Sequence, residues 1–142
     1  MIDITEKKII SREAIASGKI FLRKETIKKI KNKQIEKGDV LETARIAGIN
    51  AVKQTQLLIP HCHQIPINFA DLEFNFSNNF VEAICTAKTE AKTGLEMEAL
   101  VGVSICLNTI WDMVKYLEKN RAGQYPTTRI TEIKIVKKVK GK

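Results

Sequence analysis

The run LIPHCHQIP, residues 58–66, sets His61 and His63 on either side of Cys62 and a proline on either side of the trio. Such residues could be metal ligands, or a thiol nucleophile with its base. If the segment is extended, His61 and His63 point to one face and Cys62 to the other, so the three do not converge on one ion. A catalytic zinc needs a third protein ligand and a structural zinc a fourth, and the chain has no other histidine. Glu96 and Glu98 could complete a site only through a tertiary contact. Cys62 and His63 also diverge as adjacent residues on a strand, which argues against a nucleophile and base. The plain alternative, a structural thiol in a tight connection, suits Cys62. It suits His63 less, because a buried imidazole must find a polar partner.

Two further groupings carry acids and bases. In WDMVK, Asp112 and Lys115 are i, i+3 neighbours on a helix, and a partly desolvated lysine beside a carboxylate is a candidate acid or base. The alternative is a surface ion pair worth under about 1 kcal/mol. In KGDV, residues 37–40, Lys37 precedes a helix whose first N–H groups are unpaired, and Gly38 lets a ligand approach the backbone, so phosphate is the natural guest. The alternative there is a turn with Asp39 as N-cap. Glu96 and Glu98 open the WDMVK helix, where carboxylates suit the dipole whether or not they do chemistry.

The elements that position these groups follow from periodicity. KIFL, 19–22, ends a strand beginning near Ser11, and ETIKKIKNKQ, 25–34, is a short amphipathic helix with Ile27 and Ile30 on one side. Asp39 and Glu42 make a D-x-x-E variant of the capping box before VLETARIAGINAVKQTQLL, whose helical stretch Pro60 ends. Ala44, Ala47, Gly48 and Ala51 form a small-residue stripe on it that admits close approach of another element. Residues 67–76 and 80–91 alternate as two strands joined by a turn at 77–79, with Leu72, Phe74 and Phe76 on one face and Val81, Ala83, Cys85 and Ala87 on another. A long helix from about 95 to 119 is apolar nearly all round between Ala99 and Ile110, and residues 128–140 form a last strand. The order predicts an α+β protein, a ferredoxin-like antiparallel sheet with helices packed on one face.

Length and composition set the outer bounds. The 142 residues fit one domain, 1–142, and 44% apolar with 28% charged residues describes a soluble globular protein. The opening MIDITEKKII lacks the pattern of a secretory signal, and the apolar run at 99–111 is shorter than the roughly 20 residues a bilayer needs, so a cytoplasmic protein without a membrane partner is expected. Three widely spaced cysteines with no CxxC pair predict reduced thiols. A net charge of +8 is partly a lysine-rich helix face and a basic tail. The remainder suits a polyanionic small substrate or nucleic acid, and the shortage of aromatic residues among the basic ones weakens single-strand binding.

Read together, KGDVLETARIAGINAVKQTQLLIPHCHQIP, AKTGLEMEAL and TIWDMVKYLEK, with IDI…SREA before them and GQYPTTRI…KKVK after, resemble the molybdenum cofactor biosynthesis protein C (MoaC) family over essentially the whole chain. Those proteins are cyclic pyranopterin monophosphate synthases. The resemblance implies a lyase of the phosphorus–oxygen type that converts (8S)-3',8-cyclo-7,8-dihydroguanosine 5'-triphosphate to cyclic pyranopterin monophosphate with release of diphosphate. It implies the ferredoxin-like fold, a homohexamer built as a trimer of dimers with active sites at subunit boundaries, and no metal or organic cofactor.

Residue by residue, the resemblance puts catalytic roles on Asp112, Lys115 and Lys37. It puts substrate contacts on Arg12 of SREA, on His61, Cys62 and His63, and on Glu96, Met97 and Glu98 of EMEAL. Lys138 is the counterpart of one phosphate-binding lysine, although the family often has a glycine-rich lysine loop where this chain reads KKVKGK. The family usually reads Leu-Cys-His where this chain reads His-Cys-His, so position 61 inherits at most a backbone contact. Glu98 and Asp112 lie 14 residues apart on one helix, roughly 21 Å at 1.5 Å per residue. Asp112 and Lys115 of one chain are therefore expected to meet substrate held by His63 and Glu98 of another. The rival reading, a non-catalytic basic nucleotide- or nucleic-acid-binding module, explains the charge and the KGD turn but not EMEAL or WDMVK.

Overall fold

The structure, a computed structural model, describes residues 1–141. Its elements run β1 (Ile10–Phe21), α1 (Lys24–Lys31), α2 (Val40–Lys53), the single turn α3 (Thr55–Leu58), β2 (Phe69–Phe76), β3 (Phe80–Ala91), α4 (Glu96–Glu118) and β4 (Arg129–Lys140). Every strand pairing is antiparallel and the sheet order is β2-β3-β1-β4. Strand, helix, two strands, helix, strand in that order is the ferredoxin-like α+β arrangement the sequence predicts.

Alternation decides which face is covered. On β1, Ala14, Ala16 and Ile20 are buried, and on β3 Val81, Ala83, Cys85 and Ala87 are buried opposite them. On β2, Leu72 joins them opposite Cys85, with Phe74 and Phe76 partly buried on the same face. α4 lies over this face, and its Val103, Cys106, Leu107, Ile110 and Val114 are wholly buried. Each such aliphatic side chain contributes about 1.5–3 kcal/mol by leaving water. By length and composition α4 is apolar enough to cross a membrane, beyond what the run 99–111 alone predicts, yet it packs against the sheet and against α2 as a core helix. Burial pushes the Cys85 and Cys106 thiols up to about 12, which keeps both protonated and inert.

The small-residue stripe of α2 meets α4 at a glycine crossing. A Cβ on Gly48 would lie 3.0 Å from the carbonyl oxygen of Gly102, and one on Gly102 would lie 2.6 Å from Val52. The helix expected to run from Val40 to Leu58 is broken at Gln54, which leaves helical geometry. The Thr55 hydroxyl donates to the Ala51 carbonyl, competing with the backbone ladder at the break. The capping box is half formed: Asp39 accepts from the Glu42 N–H, whereas the Glu42 carboxylate turns to Arg45 instead of returning to the cap.

On β4, register shifts opposite Ile15/Ala16 and opposite Ser17/Lys19 insert two bulges, with Glu132 at a positive φ of 56° in one of them. Strict alternation would turn Glu132 and Lys134 toward the helices. The first bulge changes the phase so that Ile130 and Ile135, five residues apart, both pack on the core, and the second restores it, so that Lys138 pairs with Ala14 on the helix side.

Candidate functional site

α4 carries a charged grouping at each end. At its N-terminal end a cavity of about 630 Å³ is lined by His61, Cys62, His63, Glu96, Met97 and Glu98. The chain turns at 59–62, with the Cys62 N–H donating to the Ile59 carbonyl at 3.1 Å. All three residues line one cavity. Among the described residues no group of three or more His, Cys, Asp and Glu side chains is placed to hold a metal ion. Cys62 is half-buried rather than enclosed; burial and the charge of Glu98 both push its thiol up, which disfavours thiolate chemistry.

The two glutamates lie in contrasting environments. Glu98 is buried, and among the described residues no cation pairs with it. Burial pushes its carboxyl above the ordinary value and the charge of Glu96 adds to the push, against a hydrogen bond from its own N–H. Burial acts on Glu96 in the same sense. It is outweighed there by Lys138, whose ammonium lies 2.9 Å from the carboxylate, with help from Glu96's own N–H and the charge of Arg12, so Glu96 sits below the ordinary value. Two carboxylates pushed in opposite directions beside a histidine supply a candidate proton donor next to a fixed charge.

Arg12 is the predicted contact whose placement differs most from expectation. Its guanidinium is buried, donating to the Ala91 carbonyl at 3.1 Å and the Lys92 carbonyl at 3.3 Å. It fastens the end of β3 just ahead of the Glu96 turn and does not line the cavity, reaching Glu96 through charge alone.

The opening residues form part of the site, which nothing in the sequence signals. Met1, Ile2, Ile4 and Lys7 line the same cavity; the Ile2 carbonyl lies 2.7 Å from His63 Nε2, and Lys92 donates to the Thr5 carbonyl at 3.0 Å. The polar partner that a half-buried His63 needs is thus a backbone oxygen 61 residues away.

At the far end of α4, Asp112 gathers two lysines. Lys115 lies 3.1 Å from its carboxylate as the i, i+3 pairing predicts, and Lys37 arrives from the turn before α2, 3.4 Å from the carboxylate and 2.8 Å from the Asp112 carbonyl. The hydrogen bond from Lys115, then that from Lys37, holds the Asp112 carboxyl below its ordinary value. The expected desolvation of this pair is not found in the protomer, where Asp112 is 61% exposed and Lys115 42% exposed. Gly38, at φ +113°, turns the chain between Lys37 and the helix, with open space where a side chain would stand. Trp111 packs edge-on against Tyr125 beside this cluster, with ring centroids 5.1 Å apart. Within one protomer Lys37 stands with Asp112 and not with Arg12 and His63, because Asp112 lies 14 residues along the 23-residue α4 from Glu98.

The class these features define is a ferredoxin-like α+β protein with a grouping of charged side chains toward each end of its central helix. Comparison then places it: the model of the MoaC family matches residues 1–141, and the chain belongs to that family. Its relatives include proteins named probable cyclic pyranopterin monophosphate synthase in Pyrococcus abyssi (strain GE5 / Orsay), 54% identical over 99% of this chain and 88% of the relative, and in Sulfurisphaera tokodaii, 52% identical over 99% and 93%. A relative of the same name in Sulfolobus acidocaldarius is 51% identical over 99% of this chain and 98% of its own length.

Proposed function

We propose that this chain is a cyclic pyranopterin monophosphate synthase, acting as a phosphorus–oxygen lyase on 3',8-cyclo-7,8-dihydroguanosine 5'-triphosphate. The observation that carries the reading is the pair of opposed carboxylates, Glu96 and Glu98, beside His63, in a chain whose relatives bear that name along 99% of its length. Forming a cyclic monophosphate from the triphosphate requires a hydroxyl oxygen to attack the α-phosphorus while the α–β phosphoanhydride bond breaks and diphosphate leaves. The attacking hydroxyl loses a proton, and the leaving diphosphate needs cations. Glu98, driven toward its neutral form, is a proton donor to the rearranging ring; His63 and Lys138 hold the polar and anionic parts of the substrate. Lys115 and Lys37, paired to Asp112, exchange protons and bear the phosphate charge, and Asp112 orients both. Met97, His61 and Cys62 shape the wall, and Arg12 keeps the Glu96 turn in place.

The single domain would work as a homohexamer, a trimer of dimers, with the Asp112 grouping of one subunit facing the cavity of the next. That assembly would also desolvate Asp112 and Lys115, which a lone protomer leaves in water. The enzyme is cytoplasmic in this reading and needs neither a metal nor an organic cofactor, a membrane or a nucleic acid. The test is direct: supply the cyclic dihydroguanosine triphosphate and measure diphosphate together with a pterin product. Failure of turnover, combined with steeply salt-dependent binding of DNA or RNA, would instead favour the basic binding module.

A further inference from the structure

Lys37 reaches Asp112 from an exposed connection, the kind of segment that is ordinarily mobile. Its precision has to come from whatever holds the peptides before it. The connection from α1 is bent at both ends, with Lys33 at φ 55° and Gly38 at φ +113°. Inside it, the Lys33 N–H donates to the Ile30 carbonyl, the Gln34 N–H to Lys29 and the Gly38 N–H to Ile35, whose side chain is buried. The Glu36 N–H does something else. It donates to the phenolic oxygen of Tyr116 at 3.0 Å, and this bond crosses from the turn to α4.

Tyr116 stands one helical turn beyond Asp112, so the two lie above one another on one face of α4. Successive residues of the turn are therefore caught by successive turns of the helix. The Glu36 N–H meets the Tyr116 hydroxyl, and the Lys37 ammonium meets the Asp112 carbonyl and carboxylate. The other end of the α1 segment is pinned to the same helix by different means. The buried Glu118 carboxylate accepts from the Arg23 N–H at 3.2 Å and from the Thr26 hydroxyl at 2.5 Å, and also from the Thr128 hydroxyl at 2.6 Å. That buried knot ties α1 and β4 to α4, whereas the hydrogen bond of the exposed Tyr116 hydroxyl, among the described residues, is to the turn.

We propose that Tyr116 is a positioning residue for Lys37: its hydroxyl fixes the Glu36 peptide, and with it the root of the Lys37 side chain, where the ammonium reaches Asp112. The inference rests on the reading of Lys37, Asp112 and Lys115 as reacting groups, and it adds a residue that reading does not contain. Tyr116 touches no reacting atom itself and acts wholly through Lys37.

The test is Tyr116→Phe, which removes one oxygen and keeps the ring, made in the native chain and in Lys37→Ala. In protein carrying carbon-13 aspartate, the Asp112 carboxyl is titrated by NMR. Tyr116→Phe is expected to raise its pKa part of the way toward that of Lys37→Ala, and to change nothing further in the Lys37→Ala background. In turnover, kcat/KM should fall about three- to tenfold in the native chain, the effect of loosening one hydrogen bond, with the melting temperature lowered by no more than about 5 °C. No movement of the Asp112 titration, or an equal movement in both backgrounds, overturns the positioning role. Turnover that survives Lys37→Ala instead rejects the chemical role of Lys37, and the titration still decides whether Tyr116 places it.

Discussion

The Lys37 ammonium lies 2.8 Å from the backbone carbonyl of Asp112 and 3.4 Å from its carboxylate, although the two residues are 75 positions apart. With Lys115 at 3.1 Å on the other oxygen, Asp112 is bracketed by two cations from different elements. Such bracketing keeps the carboxylate charged and ties both ammonium groups to it.

Asp112→Asn keeps the shape and removes the charge that fixes both ammonium groups. Turnover should fall by about 10²-fold or more, the scale of losing positioned acid–base groups, with little change in melting temperature. The pH dependence follows from the sign of the shift. A depressed carboxyl stays ionised until the pH falls below its ordinary value of 3.8, so any acid limb of kcat/KM assigned to Asp112 should lie below that value. An acid limb well above 3.8 that vanishes in Asp112→Asn would contradict the bracketed arrangement.

Glu98 should behave in the opposite sense. Its folded-state pKa is raised by burial above the ordinary 4.5, so the folded protein holds that proton more tightly than the unfolded chain. Stability from this group is then complete below 4.5 and is lost as pH rises through the folded value. Glu98→Gln removes the titration, and its urea midpoint relative to the native chain should climb from pH 4 upward and level off above the raised pKa. A difference that stays constant across this range would mean that Glu98 is solvated like any surface carboxylate.

Much of the scaffold was legible because its periodicities are strong: Leu72, Phe74 and Phe76 fell on the face expected of them, and Ile27 and Ile30 were buried as the helical spacing predicts. The grouping of His61 to His63 with Glu96 to Glu98 was suggested by residue type and family resemblance. What escaped was the partner of His63, the Ile2 carbonyl, and the surroundings that set Glu98 apart from Glu96. The features that escaped have one physical cause, a dependence on tertiary contact without local pattern. The break at Gln54 carries no glycine or proline to announce it, and the bulge that puts Ile130 and Ile135 on one face is set by pairing with β1. Tyr116 reads as an ordinary exposed helix residue until the Glu36 peptide is seen against it.

The helix crossing offers a stability test that does not touch the chemistry. Replacing Gly102 by alanine adds a Cβ 2.6 Å from Val52 and 2.9 Å from the Cys85 sulfur. Val52 is β-branched and stiff on its own helix, so it yields poorly. The helix-propensity gain of about 1 kcal/mol is set against an overpacking cost of about 1–3 kcal/mol, and net destabilisation is expected. A Gly102→Ala protein more stable than the native one in urea would show that α2 and α4 are free to separate at this point.

The separation of the two acid–base groupings makes its own prediction for assembly. Glu98 and Asp112 are 14 residues apart on one helix, about 21 Å along its axis, too far for one protomer to bring both to one reacting centre. If a site joins the cavity of one subunit to the Asp112 end of another, Glu98→Gln and Asp112→Asn proteins, each nearly inactive alone, should complement when mixed and allowed to exchange subunits. In a mixed pair one site carries both changes and its twin carries neither. Random exchange then restores about one quarter of native turnover, half of the pairs being mixed with one intact site in two. Intact-mass measurement with one variant nitrogen-15 labelled controls for exchange, and native protein diluted with the double variant Glu98→Gln/Asp112→Asn makes the converse test. There a mixed pair has one change in each site, so turnover should fall toward the fraction of wholly native pairs. Lack of complementation, where the intact-mass control shows that subunits do exchange, would place both groupings in the service of a single chain and end the shared-site reading.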